Sequence, residues 1–249
     1  MIRTTSHNGL TLSMEVTTGF ERHRLESFFT KEPETIRWID ELMQPGDTFF
    51  DVGANVGVFT LYATLRHRGG LHVRAFEPAY HNYYRLCRNL SLNRAQNSLA
   101  YCLALGDKES SATLHLVSND SGSASHAFAA GVSQREGART VFEQGSVTIA
   151  LDTLIASYGF PLPQHIKIDI DGYEEGFING ATETLGNREV RSVLIEVTDS
   201  GGSKERITEA LRRAGFGAEH PLNFIDDHSR VRRAESGNSD IENMIFVRS

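Results

Sequence analysis

The chain has 249 residues, a formal net charge of −7 and a pI near 5.8. That length suits one large α/β domain, and the charge argues against a duplex-binding surface, which needs a basic stripe to neutralise phosphates. No apolar run approaches the roughly 18 residues of a membrane span, and the N-terminal stretch lacks the continuous apolar segment of a secretory leader, so a soluble, cytoplasmic protein is expected.

The two cysteines, Cys87 and Cys102, have no C-x-x-C spacing and read as small core residues in a reducing compartment. The ten histidines do not pair with one another or with cysteine at ligand spacing, so no metal is expected. The short basic run of Arg230, Arg232 and Arg233 lies in a Ser/Gly/Asp-rich stretch and reads as solvated loop.

Weak alternation of Leu10, Leu12, Met14 and Val16 suggests an edge strand or hairpin. Pro33 at a first-turn position, followed by Ile36, Ile39, Leu42 and Met43, predicts a helix from residue 32. Residues 1–45 are thus expected to flank the site, and 46–249 to form the main domain. From Asp47 the pattern alternates: strand 48–52, helix 56–67, strand 72–77, helix 80–93, strand 99–105, strand 164–170, helix 174–185, strand 190–197 and helix 203–214. Such alternation implies a doubly wound, mostly parallel sheet with helices on both faces. Residues 217–224 and 243–247 read as a further, antiparallel strand pair. Between these blocks, about 106–150 form an insertion in which 112–117 and 147–150 read as strands around a Ser/Gly/Ala-rich stretch, 118–140, expected to order over a substrate.

Strand 48–52 ends at Asp51 and runs into Gly53, Ala54, Asn55 and Gly57 at a helix start. The glycines are four apart, unlike a dinucleotide fingerprint, and no Lys-Ser/Thr pair follows as in a P-loop. The next strand ends in Glu77 and Pro78, a carboxylate where a doubly wound sheet holds a ribose diol. Strand, glycine turn, helix, strand and acid form an S-adenosylmethionine (SAM) pattern.

At this point the chain resembles the FkbM-type SAM-dependent methyltransferases. The blocks that carry the likeness are Pro45-Gly46-Asp47, residues 51–57, Phe76-Glu77-Pro78, Asn89 with Asn93, Ala104 to Asp107, Leu151 to Leu154, and Ile166 to Glu174 with its Asp169-x-Asp171-Gly172 core. They cover roughly residues 40 to 200 in family order. Asp171 stands where the family usually has Glu, and one methylene less shortens its reach by about 1.5 Å. The resemblance implies a Rossmann-like class I methyltransferase fold, SAM as cofactor and transfer of a methyl group to a small-molecule acceptor, most simply a hydroxyl of a sugar, polyketide or other metabolite. N- or carboxyl-methylation of an amino acid or peptide, an idle SAM-binding module and a nicotinamide oxidoreductase are the alternatives, the last weakened by the missing third glycine.

On this reading Gly53 lets backbone approach the ligand, and Gly57 lets the first helix pack on the sheet. Asp51 accepts from the SAM ammonium, directly or through water, and Asn55 takes a left-handed conformation beside the same end. Glu77 binds the ribose hydroxyls because its carboxylate otherwise lacks a partner. Pro78 ends the strand; Ala104 and Leu105 line the adenine, with Asp107 accepting from its amino group. Asp171 crowds the same mouth. For the proton that an attacking alcohol must lose, Asp169 is the first candidate base, ahead of Glu174 and His126. The competing role for Asp169 is to hold the SAM ammonium.

Overall fold

The computed structural model describes residues 1–7, 9–124, 126–128, 139–198, 201–217 and 241–248. The chain opens with a hairpin, β1 (Ile2–His7) and β2 (Leu10–Glu15), and three helices, α1 (Gly19–Glu26), α2 (Phe28–Lys31) and α3 (Pro33–Leu42). Strands and helices then alternate through β3 (Thr48–Val52), α4 (Val58–Arg66), β4 (His72–Phe76), α5 (Tyr80–Leu92) and β5 (Ser98–Tyr101). Three strands, β6 (Ala104–Gly106), β7 (Ser110–Leu116) and β8 (Phe142–Ala150), form a separate small sheet in the order β6-β8-β7. The remaining described elements are α6 (Leu151–Tyr158), β9 (His165–Ile168), α7 (Glu174–Asn179), α8 (Thr182–Gly186), β10 (Ser192–Thr198), α9 (Ser203–Arg213), β11 (Phe216–Gly217) and β12 (Ile241–Arg248).

The main sheet has the order β11-β12-β10-β9-β3-β4-β5. Strands β3, β4, β5, β9 and β10 pair in parallel, whereas β12 runs antiparallel to both β10 and β11. Chain order runs outward from β3 to β5 and resumes on the other side of β3 with β9. A ligand crevice therefore opens beyond the carboxyl ends of β3 and β9, at the switch point. Every residue of β3 is buried, as expected of a strand covered by helices on both faces.

Alternation divides the strands between two cores. Phe49 and Leu194 pack with Leu12, Met14, Trp38, Ile39 and Leu61 on one face, and Phe50, Val52, Ile166, Ile168 and Ile195 pack with Phe177 and Phe246 on the other. Asp51, Lys167 and Glu196 therefore project on the face of Phe49, under the N-terminal helices. Residues 1–45 share that core rather than standing apart from it. Their attachment explains the Asn89/Asn93 pair: the Asn89 amide accepts from Glu15 N–H (3.0 Å) and donates to the Val56 carbonyl (2.9 Å), while Asn93 accepts from Ser13 N–H (3.0 Å) and donates to the Ser13 carbonyl (2.6 Å). One turn apart on α5, the two amides fasten edge strand β2 to the helix.

The main departures from the expected elements have physical causes. The strand expected over 99–105 is two short ones in different sheets, because Leu105 leaves the main sheet to pair in parallel with Ile149 of β8. The helix expected over 174–185 breaks into α7 and α8 where Gly180 passes so close to Gly106 that a Cβ would overlap its carbonyl; Asp152 then caps α8 by accepting from the Glu183 and Thr184 N–H groups at 2.9 and 2.8 Å. Helix α1 was not anticipated. It begins with a capping box in which Thr18 and Glu21 bond each other's backbone N–H. The strand expected over 217–224 lies, after Gly217, outside the described residues, as does the basic run at Arg230, Arg232 and Arg233. No helix of the described residues is long and apolar enough to cross a membrane.

Candidate active site

A cleft lined by the ends of β3, β4 and β9 occupies the switch point. Its floor is the turn after β3. Gly53 has φ 83° and, with Ala54, donates its N–H to the Phe76 carbonyl of β4 at 2.9 and 3.0 Å. A Cβ at Gly53 would overlap the Asp169 carbonyl, so this glycine seats the turn against the end of β9 as well as opening the backbone to the cleft. Gly57, with φ 88°, makes room for Leu86 of α5 rather than for the sheet. Asn55 is left-handed as expected, with φ 51°, and its amide donates to the Ser123 carbonyl at 2.8 Å.

Glu77 lines the cleft at 5% exposure. It does not lack partners: Oε2 accepts from Asn55 N–H at 2.8 Å and Oε1 from Ala79 N–H at 2.9 Å. Burial nonetheless pushes its carboxyl up to about 7 against these two bonds, with Asp171 nearby adding to the rise. Each oxygen keeps a lone pair, so the carboxylate can still receive a diol.

Asp169 lines the cleft from the other side, its N–H continuing the β3–β9 ladder to the Val52 carbonyl at 3.0 Å. Its Oδ2 accepts from the buried Lys167 ammonium at 2.8 Å. Desolvation raises its carboxyl, but Lys167, and more distantly Lys31 and Arg24, outweigh that and hold it below the usual range. Asp51 does not reach the cleft. It is 1% exposed, and Oδ2 accepts from Thr60 Oγ1 at 2.5 Å, on the sheet face shared with Lys167. Burial raises its carboxyl despite that cation.

Pro78, Ala104, Leu105 and Asp171 line the cleft as expected, and Asp171 has φ 55°. Asp107 does not line it. It is exposed and accepts from the Tyr173 hydroxyl at 3.1 Å, a surface role in place of the expected adenine contact. Ala54 is buried beneath the turn. Glu174 is drawn into its own loop, accepting from Gly172 N–H at 2.9 Å and Ile170 N–H at 3.4 Å, and burial pushes its carboxyl up to about 7. It folds the 169–173 corner and stands back from the cleft.

His126 does line the cleft. Its Nδ1 accepts from Val117 N–H at 3.4 Å, which assigns the proton to Nε2, 3.3 Å from Ser123 Oγ. Burial, with His81 and Arg24 nearby, lowers the ring to about 4. The described part of the insertion meets the cleft beside Glu77: Leu114, Ala124, His126 and Phe128 share its wall. Residues 125 and 129–138 of the stretch expected to order over a substrate lie outside the described residues. Asn82 accepts from Gly122 N–H at 2.8 Å, Arg24 Nε donates to the Gly122 carbonyl at 2.6 Å and Thr18 Oγ1 donates to the Ser121 carbonyl at 2.7 Å, which pins the turn in place.

Arg24, Asn82, Tyr173 and Phe128 line the cleft but were not singled out from sequence. The capping box at Thr18 and Glu21 was the available signal for Arg24's helix. Nothing local marks Glu196, one position past the Ile195–Ile168 register and so beside Asp169. Burial, Asp169 and Glu32 drive its carboxyl well upward.

The glycine turn, the acid after β4 and the apolar wall of Phe76, Leu103 and Leu105 suit the amino-acid end, the ribose and the adenine of SAM in turn. A family model described as "Methyltransferase FkbM domain" matches residues 51–218. The 31-O-demethyl-FK506 methyltransferase FkbM of Streptomyces tacrolimicus is 29% identical over 70% of this chain and 74% of its own. The hexuronic acid methyltransferase AglP of Haloferax volcanii is 28% identical over 81% and 77%. A crystal structure of methyltransferase FkbM from Methylobacillus flagellatus superposes with a TM-score of 0.52 at 14% identity, over 93% of this chain and 56% of that longer one, which supports the fold. The chain therefore belongs to the FkbM-domain family and is a SAM-dependent methyltransferase.

Proposed function

We propose that the enzyme methylates a hydroxyl group of a small, oxygen-rich metabolite to give a methyl ether, in the cytoplasm. The observation that carries the reading is that one cleft joins Glu77 and Asp169, two carboxylates from either side of the switch point, with apolar walls between them. Support for the acceptor comes from relatives named for a 31-O-demethyl macrocycle and for a hexuronic acid. Two free thiols, the half-buried Cys87 and the exposed Cys102, neither of them the core residue expected, suit a reducing compartment.

SAM, when bound, supplies a methyl group already activated on a sulfonium. Glu77 accepts from the two ribose hydroxyls, the turn at Gly53 and Asn55 packs against the amino-acid end, and Asp169 anchors its ammonium. The insertion wall of Leu114 and Phe128 excludes water from the adenine side. Positioning of this kind supplies much of the acceleration in displacement at an activated methyl group, and the proton of the acceptor hydroxyl passes to water.

The test is to incubate the protein with SAM and a panel of hydroxylated acceptors that includes a hexuronic acid, together with free amino acids and short peptides, and to follow the methylated product by mass spectrometry before and after mild alkali. An alkali-stable methyl group on oxygen is expected. An alkali-labile ester would make it a carboxyl methyltransferase, the second chemistry that a hexuronic acid permits, and an N-methyl product would refute both.

A further inference from the structure

Lys167 is 1% exposed in the middle of the sheet. Its Nζ donates to Asp169 Oδ2 at 2.8 Å and lies 4.9 Å from the centroid of the Phe59 ring. Titratable groups face this pair from several elements: Asp51 on β3, Glu196 on β10, Glu32 at the end of α2, Glu174 at the start of α7, and Lys31 and Arg24 further out. Taking an ammonium out of water is costly unless it is matched by partners, and an apolar side chain at this central position would meet no such cost. Burial alone would lower the lysine, but Asp169, Asp51 and Glu32 overcome it and hold it charged.

We propose that Lys167 is a positioning residue for the methyl transfer, turning Oδ2 of Asp169 inward and keeping its carboxylate a fixed anion whose Oδ1 serves the ammonium of SAM. The inference rests on the reading of Asp169 as the anchor of that ammonium. Its consequence is a sign: without Lys167, Asp169 faces Asp51, Glu196 and Glu32 with less compensating charge, so its carboxyl rises. Anchoring would then be present at high pH and lost as pH falls through the raised value.

The experiment compares S-adenosylhomocysteine, which carries the amino-acid end, with 5′-methylthioadenosine, which keeps only the nucleoside and so cancels any titration of Glu77. Affinities for both are measured by calorimetry between about pH 5 and 7.5 for the wild type, Lys167→Met and Lys167→Arg. The ratio of the two affinities should stay flat in the wild type, fall by about tenfold or more towards pH 5 in Lys167→Met, and recover largely in Lys167→Arg. A folded Lys167→Met protein with the wild-type ratio at every pH would overturn the proposal. Should that variant not fold, Asp51→Asn/Lys167→Met removes one buried charge of each sign and carries the same expectation. The Asp169 carboxyl carbon in the wild type, followed by NMR, should titrate below the usual carboxylate range, and titration at or above that range would overturn the proposal equally. A wild type that binds neither nucleoside would instead refute the assignment of the cleft to SAM.

Discussion

Glu77 offers the sharpest test of the cleft, because both of its oxygens already serve the fold. Glu77→Gln looks conservative, yet the two backbone donors, Asn55 N–H and Ala79 N–H, at 2.8 and 2.9 Å, cannot both be satisfied by an amide. Whichever way the side chain turns, its NH₂ meets one of them. The buried donor left unpaired costs about 1–3 kcal/mol, and for a chain of this size each kcal/mol moves Tm by about 2–4 °C, so a fall of roughly 2–12 °C is expected in thermal unfolding without ligand at low pH, below the raised value of Glu77, where ionisation of the buried carboxyl does not offset it. Binding suffers separately. A ribose hydroxyl donating to a carboxylate contributes about 1.5–3 kcal/mol, so even the loss of one such bond weakens SAM by roughly ten- to a hundredfold in calorimetry. A folded Glu77→Gln protein with unchanged SAM affinity would refute the ribose assignment, and an unchanged Tm would refute the account of the two backbone bonds.

Asp169→Asn should weaken SAM by roughly tenfold or more while single-turnover chemistry at saturating SAM stays close to normal; a chemical step slowed about 10²–10⁴-fold at unchanged affinity would make Asp169 the base instead. Hydrogen exchange should show the amides of Val117 and Gly122, which bond His126 and Asn82, protected by S-adenosylhomocysteine alone, because the described insertion shares a wall with Glu77; protection only on adding acceptor would return this loop to the acceptor side. Glu174, raised to about 7 by burial, favours the folded state most below the ordinary carboxylate range and loses that contribution as pH rises through about 7. The stability of Glu174→Gln relative to wild type should therefore increase by about 1–3 kcal/mol between pH 4.5 and 8 in denaturant titrations, and a difference independent of pH would refute the burial argument.

How much was legible from sequence differs by element. Apolar segments bounded by turns set out β3, β4 and β9 to within a residue or two, even though Arg74 and Lys167 interrupt two of them. The same reading missed α1, whose apolar periodicity is weak although its cap is clear, and ran helix 174–185 through Gly180, where only the approach of Gly106 forces the break. Of the site, Gly53, Asn55, Glu77, Pro78, Ala104, Leu105, His126, Asp169 and Asp171 do meet at one cleft.

What the sequence determines by itself is the chemistry in chain order: a glycine turn after one strand, an acid after the next, and a Lys-x-Asp after a third, each local because a strand end and its turn are specified by a few adjacent residues. Only the tertiary structure decides which of those groups face the ligand and which face one another. Asp51 lies two residues from Gly53 yet points into the sheet toward Lys167 because side chains alternate along a strand. Arg24 and Glu196 enter the neighbourhood of Asp169 from α1 and β10, across separations that no local pattern encodes. The charge state of Asp169 depends on that assembly, since a carboxylate's proton affinity is set by the burial and the cations around it and not by its neighbours in sequence.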